Sequence, residues 1–238
     1  MSRGGQQNIP RPDGARRGEA NHWLPLTEPS RLTIERAELV LGQLGDRRYP
    51  DDLPTTPMRP PFLTSSRQSA VLIPLFIGET GEVRVILTRR SSRLNNHKGE
   101  VAFPGGRVDE GETPLDAALR EAWEEVGLPP ESVRVIGRLE SLMTMASASS
   151  ITPYVGVIDR VPELVPSAYE VERIFDVSLA ELTEDECYRE EIWDYADGTF
   201  PVWFFEVEAD TVWGATGRML RRLLDLMILD HSEDVVGI

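Results

Sequence analysis

Glu121, Glu124 and Glu125 are the residues whose type and spacing invite chemistry. On a helix advancing about 100° per residue they fall within about 100° of one another, so three carboxylates share one face. Like charges at spacings of three and four cost a helix about 0.2 to 0.5 kcal/mol per pair unless something positive sits against them. Arg120, within reach of Asp116 and Glu124, compensates part of that cost. Two readings follow from these residues alone. One is a solvated acidic face. The other is a site for a hard divalent cation such as Mg2+ or Mn2+, which prefers oxygen ligands and bridges carboxylates to phosphate oxygens. Such an ion neutralises an anionic substrate, acidifies a water and stabilises charge on a departing phosphate.

The helix that must hold these acids is legible in its flanks. Thr113 is an N-cap, Pro114 suits the first helical position, and Asp116 stands where a shortened capping box places its acid. The helix is expected to run to Leu128, with Leu115, Leu119, Ala122 and Val126 within about 60° of one another as the buried stripe, nearly opposite the glutamates. The fixed frame around the acids carries more information than the acids themselves. Gly106, then Glu112, then Arg120-Glu121-Ala122, then Glu124-Glu125, then Gly127-Leu128 resembles the Nudix box, and every specified position of that motif is filled. The resemblance implies an α/β fold, a Nudix-type α/β/α sandwich with a central mixed sheet, and a metal-dependent enzyme that hydrolyses a diphosphate bond. It implies Glu124 and Glu125 as ligands of Mg2+ or Mn2+, Glu121 as a ligand or general base, and the carbonyl of Gly105 as a further ligand. Arg120 would orient a glutamate, and Glu112 would hold the loop. The acid that takes the proton from water differs between Nudix families. Outside the box, Glu163 and Glu170 are candidates, and an ordinary solvated role fits each of them at least as well.

The segment before the box narrows the substrate. Leu87-Thr88-Arg89-Arg90-Ser91 and His97-Lys98-Gly99-Glu100-Val101-Ala102-Phe103-Pro104-Gly105-Gly106 resemble the extended signature of the coenzyme A diphosphatase branch, as do Glu170-Val171, Phe175-Asp176-Val177 and Val212 to Thr216. The branch resemblance implies hydrolysis of coenzyme A or acyl-coenzyme A to 4'-phosphopantetheine, or its acyl form, and adenosine 3',5'-bisphosphate. Arg89 and Arg90 are the arginines expected at substrate phosphate, and His97 is a weaker substrate-binding candidate that also reads as a structural loop residue. One departure stands out: Asn95 lies near the place where the branch usually carries an arginine, with Arg93 two residues away. ADP-ribose, NADH or a nucleoside triphosphate is therefore the alternative substrate class. A scaffold that binds its ligand without turnover is a lesser alternative, against which the intact glutamates argue.

Composition constrains partners. A net charge of -15 argues against a surface that neutralises nucleic acid or lipid phosphates, so a small-molecule diphosphate must be met locally by a few arginines or by metal. The lone cysteine, Cys187, forms no intramolecular disulfide, and no apolar run is long enough to span a bilayer. A cytoplasmic protein is expected, and a homodimer through the N-terminal helix or a sheet edge is compatible with the sequence. Along the chain, residues 1–30 are expected as a disordered or loosely draped tail, and 31–65 as a short helix from Leu32 to Leu44 followed by a proline-rich connector. Residues 66–232 are expected as the hydrolase domain and 233–238 as a tail. Within the domain, strands are predicted over Ala70–Ile77, Glu82–Thr88, Val133–Leu139, Tyr154–Ile158 and Pro201–Val207, with a terminal helix over Gly214–Leu229. The small polar run Met143 to Ser150 reads as a loop over the site or as a plain connector.

Overall fold

The computed structural model describes residues 4–5, 7–23, 31–44, 67–94, 97–143, 149–195 and 198–229. The proline-rich connector, Asn95, the centre of the Met143 to Ser150 run and the 233–238 tail lie outside these residues. In chain order the elements are β1 (Arg16–Arg17), α1 (Ile34–Leu44), β2 (Arg67–Ile77), β3 (Val83–Arg90), β4 (Val101–Ala102), β5 (Gly105–Arg107), α2 (Pro114–Val126), β6 (Arg134–Arg138), β7 (Leu142–Met143), β8 (Ser149–Val157), β9 (Val171–Ser178), β10 (Tyr188–Tyr195), β11 (Gly198–Val207), β12 (Asp210–Val212) and α3 (Gly214–Ile228).

The main sheet is mixed. β2 runs parallel to β8 and antiparallel to β3, while β6 and β7 pair with β8 and β9 pairs with β3. β2 and β3 leave a turn at Gly78–Gly81 and pair only near it, Leu75 with Val85 to Ile77 with Val83. Farther on, β4 takes the edge of β3 and β5 the edge of β2. Between them, the Pro104 carbonyl accepts the Leu72 N–H at 2.9 Å and the Phe103 ring is buried. The loop that ends in Gly105 and Gly106 is thereby fixed inside the sheet.

Side chains alternate across this sheet with period two. Ala70, Leu72 and Ile86 face α2, while Ile73, Leu75, Val85, Leu87, Val155 and Val177 face the cluster that includes Ala37 and Leu41 of α1 and Leu220, Leu223 and Leu224 of α3. Helices on both faces of a mixed sheet make an α/β/α sandwich.

Two expectations are corrected. The buried side of α2 is Ala117, Ala118, Ala122, Glu125 and Val126, with Leu115 and Leu119 only half-buried. Three alanines let the helix lie close to the sheet, and the buried arc turns toward Glu125 relative to the leucine stripe the sequence suggests. The second correction concerns the N-terminus. Residues 7–23 lie along a second, antiparallel sheet of order β1-β10-β11-β12, and Trp23 is fully buried against Tyr188 and Phe205, where a loose tail was expected.

Candidate active site

The acids are held by a well-terminated helix. Thr113 Oγ1 accepts the Asp116 N–H at 3.2 Å, and Pro114 follows the cap. At the other end Gly127 adopts φ 70°, a left-handed conformation that glycine takes without a Cβ penalty. Its N–H reaches Trp123 O at 2.9 Å and that of Leu128 reaches Ala122 O at 3.3 Å, which closes the last turn.

Because α2 is rotated, the three glutamates are not equivalent. Glu124 is exposed, Glu121 half-buried and Glu125 buried, at 4% exposure. Glu125 Oε2 accepts the Gly105 N–H at 3.0 Å, and its Oε1 lies 3.7 Å from Arg90 Nη1. Burial pushes its carboxyl up to about 7, against the pull of Gly105 and Arg90. Burial also raises Glu121, partly offset by Arg120. Glu121 fits here because residue 106 is glycine: a Cβ there would stand 2.3 Å from the Glu121 carboxyl.

Arg120 gathers the loop and the helix. It makes a bidentate pair with Glu112, Nε to Oε1 at 2.9 Å and Nη2 to Oε2 at 3.1 Å. Its Nη1 donates to both Glu121 and Glu124 at 3.1 Å, and Nη2 to the Arg107 carbonyl at 3.0 Å. The loop after β5 is thus fastened to the helix that carries the acids.

The other candidate residues divide. Arg90 joins the carboxylates through Glu125. Arg89 turns instead to the buried Asp210 of β12, 3.2 Å away, which also pairs with Arg173 at 2.6 Å. The Nε atoms of Arg89 and Arg90 are buried without a hydrogen-bond acceptor among the described residues. His97 sits in a turn with φ 56°, its Nδ1 2.9 Å from Glu100 Oε2, and among the described residues no bond ties it to the glutamates of α2. Glu163 is exposed, whereas the Glu170 charge acts on both Glu121 and Glu125. Of the two acids outside the box that the sequence offered, Glu170 is thus the one near the carboxylates, and the turn that carries it is set by contacts distant in sequence. The Ser167 N–H donates to the Glu125 carbonyl at 2.8 Å and the Ser91 N–H to the Glu170 carbonyl at 2.8 Å. These are long-range backbone bonds, for which the local sequence carries no signal.

An α/β/α sandwich that presents helical carboxylates beside a strand arginine suits a hydrolase for phosphate-bearing substrates. The sequence pattern of the NUDIX domain matches residues 66–157. Over 184 residues the chain is 37% identical to Nudix hydrolase 3 of Caenorhabditis elegans, a match spanning 70% of this chain and 76% of that protein. Over 159 residues it is 41% identical to NudL, an uncharacterized Nudix hydrolase of Citrobacter koseri, spanning 66% and 81% of the two chains. Among solved structures, a binary complex of a C. elegans Ap4A hydrolase aligns at 22% identity with a TM-score of 0.41, over 47% of this chain and 80% of that one. The chain belongs to the Nudix hydrolase family. It is a hydrolase that acts on the pyrophosphate bond of nucleoside diphosphate derivatives.

Nudix hydrolases generally use divalent metal ions. The donor chemistry here fits one: every candidate ligand is a hard oxygen, and the buried Glu125 carboxyl lacks enough positive charge to hold it in the ordinary range. Among the described residues, no three Asp, Glu, His or Cys side chains are gathered on one point as they stand. Also among the described residues, no helix is long and apolar enough to cross a membrane.

Proposed function

We propose that the chain hydrolyses the diphosphate of coenzyme A or acyl-coenzyme A, releasing 4'-phosphopantetheine or its acyl form and adenosine 3',5'-bisphosphate. One observation carries this reading. The segment with the branch resemblance, Leu87 to Ser91 and His97 to Gly106, is the segment that meets Glu125, through Arg90 at 3.7 Å and the Gly105 N–H at 3.0 Å. Substrate choice and acid chemistry therefore converge on one carboxylate.

In this reading Glu121, Glu124, Glu125 and the Gly105 carbonyl hold Mg2+ or Mn2+. When bound, the ion neutralises the diphosphate and acidifies a water. Arg90, whose Nε lacks an acceptor among the described residues, binds a phosphate oxygen through its guanidinium. Arg120 keeps Glu121 and Glu124 aimed, and Glu112 keeps Arg120 in place. Two carboxylates are candidates to take the proton from the attacking water. Glu121 is supported by a carboxyl raised by burial, and Glu170 by its electrostatic closeness to Glu121 and Glu125.

A second reading, a diphosphatase for ADP-ribose, NADH or a nucleoside triphosphate, is favoured by Asn95 standing near the place of the branch arginine. Products identified by mass spectrometry from coenzyme A, acetyl-coenzyme A, ADP-ribose, NADH and a nucleoside triphosphate, each with Mg2+ or Mn2+, separate the two. Adenosine 3',5'-bisphosphate appearing fastest, from coenzyme A, is the expected result; faster cleavage of another member overturns the coenzyme A assignment.

A further inference from the structure

Tyr169 has no part in the chemistry described so far, yet it is held beside that chemistry. It lies in a turn pinned on three sides: Ser167 N–H to the Glu125 carbonyl at 2.8 Å, Ser91 N–H to the Glu170 carbonyl at 2.8 Å, and Arg93 Nη1 to the Ala168 carbonyl at 3.3 Å. A fourth bond, Val171 N–H to Ser167 O at 2.9 Å, closes the turn itself. The next residue, Glu170, is close enough for its charge to act on Glu121 and Glu125. Despite this anchoring, Tyr169 is 63% exposed.

An exposed aromatic ring alone means little, because isolated apolar residues are common on surfaces. Trp123 is such a case: it is also exposed, but on α2 it lies about 160° around the axis from Glu121. Tyr169 differs in its backbone, which is fastened to α2, to Ser91 and to Arg93 one residue before the Glu170 whose charge acts on the carboxylates. A ring carried on so fixed a backbone has only its two side-chain torsions to lose when a ligand covers it, which makes it an efficient contact surface.

We propose that Tyr169 is the stacking surface for the nucleobase of the substrate, with Arg93 at its flank. The proposal rests on the reading of the site as one for a nucleoside diphosphate derivative. The diphosphate sits at the carboxylates and Arg90, and the base leaves along the 167–170 turn to lie on the ring. Every base has a π-face, so such a surface recognises the class nucleoside without choosing strongly among bases. The phenol hydroxyl is not required.

The test compares two non-hydrolysable ligands that differ only by a nucleoside, α,β-methylene-ADP and methylenediphosphonate, titrated with Mg2+ into the full chain by calorimetry. Tyr169→Ala is expected to weaken α,β-methylene-ADP about tenfold and to leave methylenediphosphonate unchanged, while Tyr169→Phe keeps both affinities. Matched thermal melts establish that the exposed substitution leaves the fold intact. Unchanged affinity for the nucleoside ligand in Tyr169→Ala, equal weakening of both ligands, or a wild type with no preference for α,β-methylene-ADP overturns the proposal. A wild type that shows this discrimination but cleaves no diphosphate in the substrate panel overturns the proposed function and leaves the stacking role standing.

Discussion

Glu125 is buried, points at a backbone N–H and faces an arginine that is not close enough to hydrogen-bond it. Its carboxyl moves from 4.5 to about 7. Between those values the folded chain keeps a proton that the unfolded chain has released, so the folded state binds more protons. Stability of the metal-free protein is therefore fully present below about 4.5 and declines as pH rises through about 7, by an amount on the order of 3 kcal/mol. Urea melts in chelator from pH 5 to 8 should show this decline, and Glu125→Gln should flatten it. Identical pH profiles for the two proteins would mean that Glu125 ionises normally. Activity should respond in the opposite sense. A divalent ion needs the ionised carboxylate, so Glu125→Gln and Glu124→Gln are each expected to lose at least about a hundredfold in kcat, beyond what losing an outer partner of a metal ligand costs. Near-normal turnover in both variants would sink the assignment of the acids.

The loop and helix that present these groups can be probed at two adjacent glycines with different environments. A Cβ at Gly105 would lie 2.4 Å from the Ala70 carbonyl oxygen and 2.6 Å from Val71 Cα, so the backbone of β2 or β5 must shift. A Cβ at Gly106 would come closest to the Glu121 carboxyl, the far end of a side chain that can turn away, with no backbone among its three nearest atoms. Gly105→Ala is therefore expected to lower the melting temperature, whereas Gly106→Ala should melt near the wild type and lose about a hundredfold in kcat, as a displaced catalytic group does. A Gly106→Ala enzyme with wild-type kcat would show that Glu121 need not stay where it is. The same elements show what the sequence reveals and what it conceals. The start of α2 was readable because Thr113 and Pro114 act locally, and so were the two strands that flank Gly78–Gly81; the end of α2 was not, since the helix stops at Val126 under the left-handed Gly127, short of the Leu128 that was expected. The buried side of α2 was not, because Ala117 and Ala118 matter through the close approach to β2, a tertiary fact. β10 escaped notice because Arg189, Glu190 and Glu191 interrupt its alternation. In the structure Glu190 accepts the Trp203 indole N–H and Glu191 that of Trp193, both at 2.8 Å, so buried acids replace the expected apolar positions.

Across the whole molecule, the N-terminal segment binds together parts that are far apart in the chain. Gln7 Nε2 donates to Asp210 Oδ1 at 3.1 Å, and Arg11 and Arg16 pair with Glu191 and Asp194. β1 extends the second sheet, and Trp23 closes the strap with its indole N–H on Asp225 Oδ1 of α3 at 2.8 Å. A segment rich in glycine and arginine reads as solvated because its partners lie nearly 200 residues away. Its apolar contribution is concentrated in one residue, so Trp23→Ala should cost about 3 to 5 kcal/mol. For a domain of this size each kcal/mol lowers the melting temperature by about 2 to 4 °C, so a fall of about 10 °C is expected. The site should be spared, because Trp23 packs with α1, α3 and the second sheet, whereas Glu121 and Glu125 stand on α2 across the main sheet. Calorimetric melts alongside kcat at 20 °C separate the possibilities. A large fall in melting temperature with unchanged kcat makes the strap a structural clamp. A fall in kcat at unchanged melting temperature would instead mean that the segment serves the site, through Gln7, Asp210 and the Arg89 that Asp210 holds.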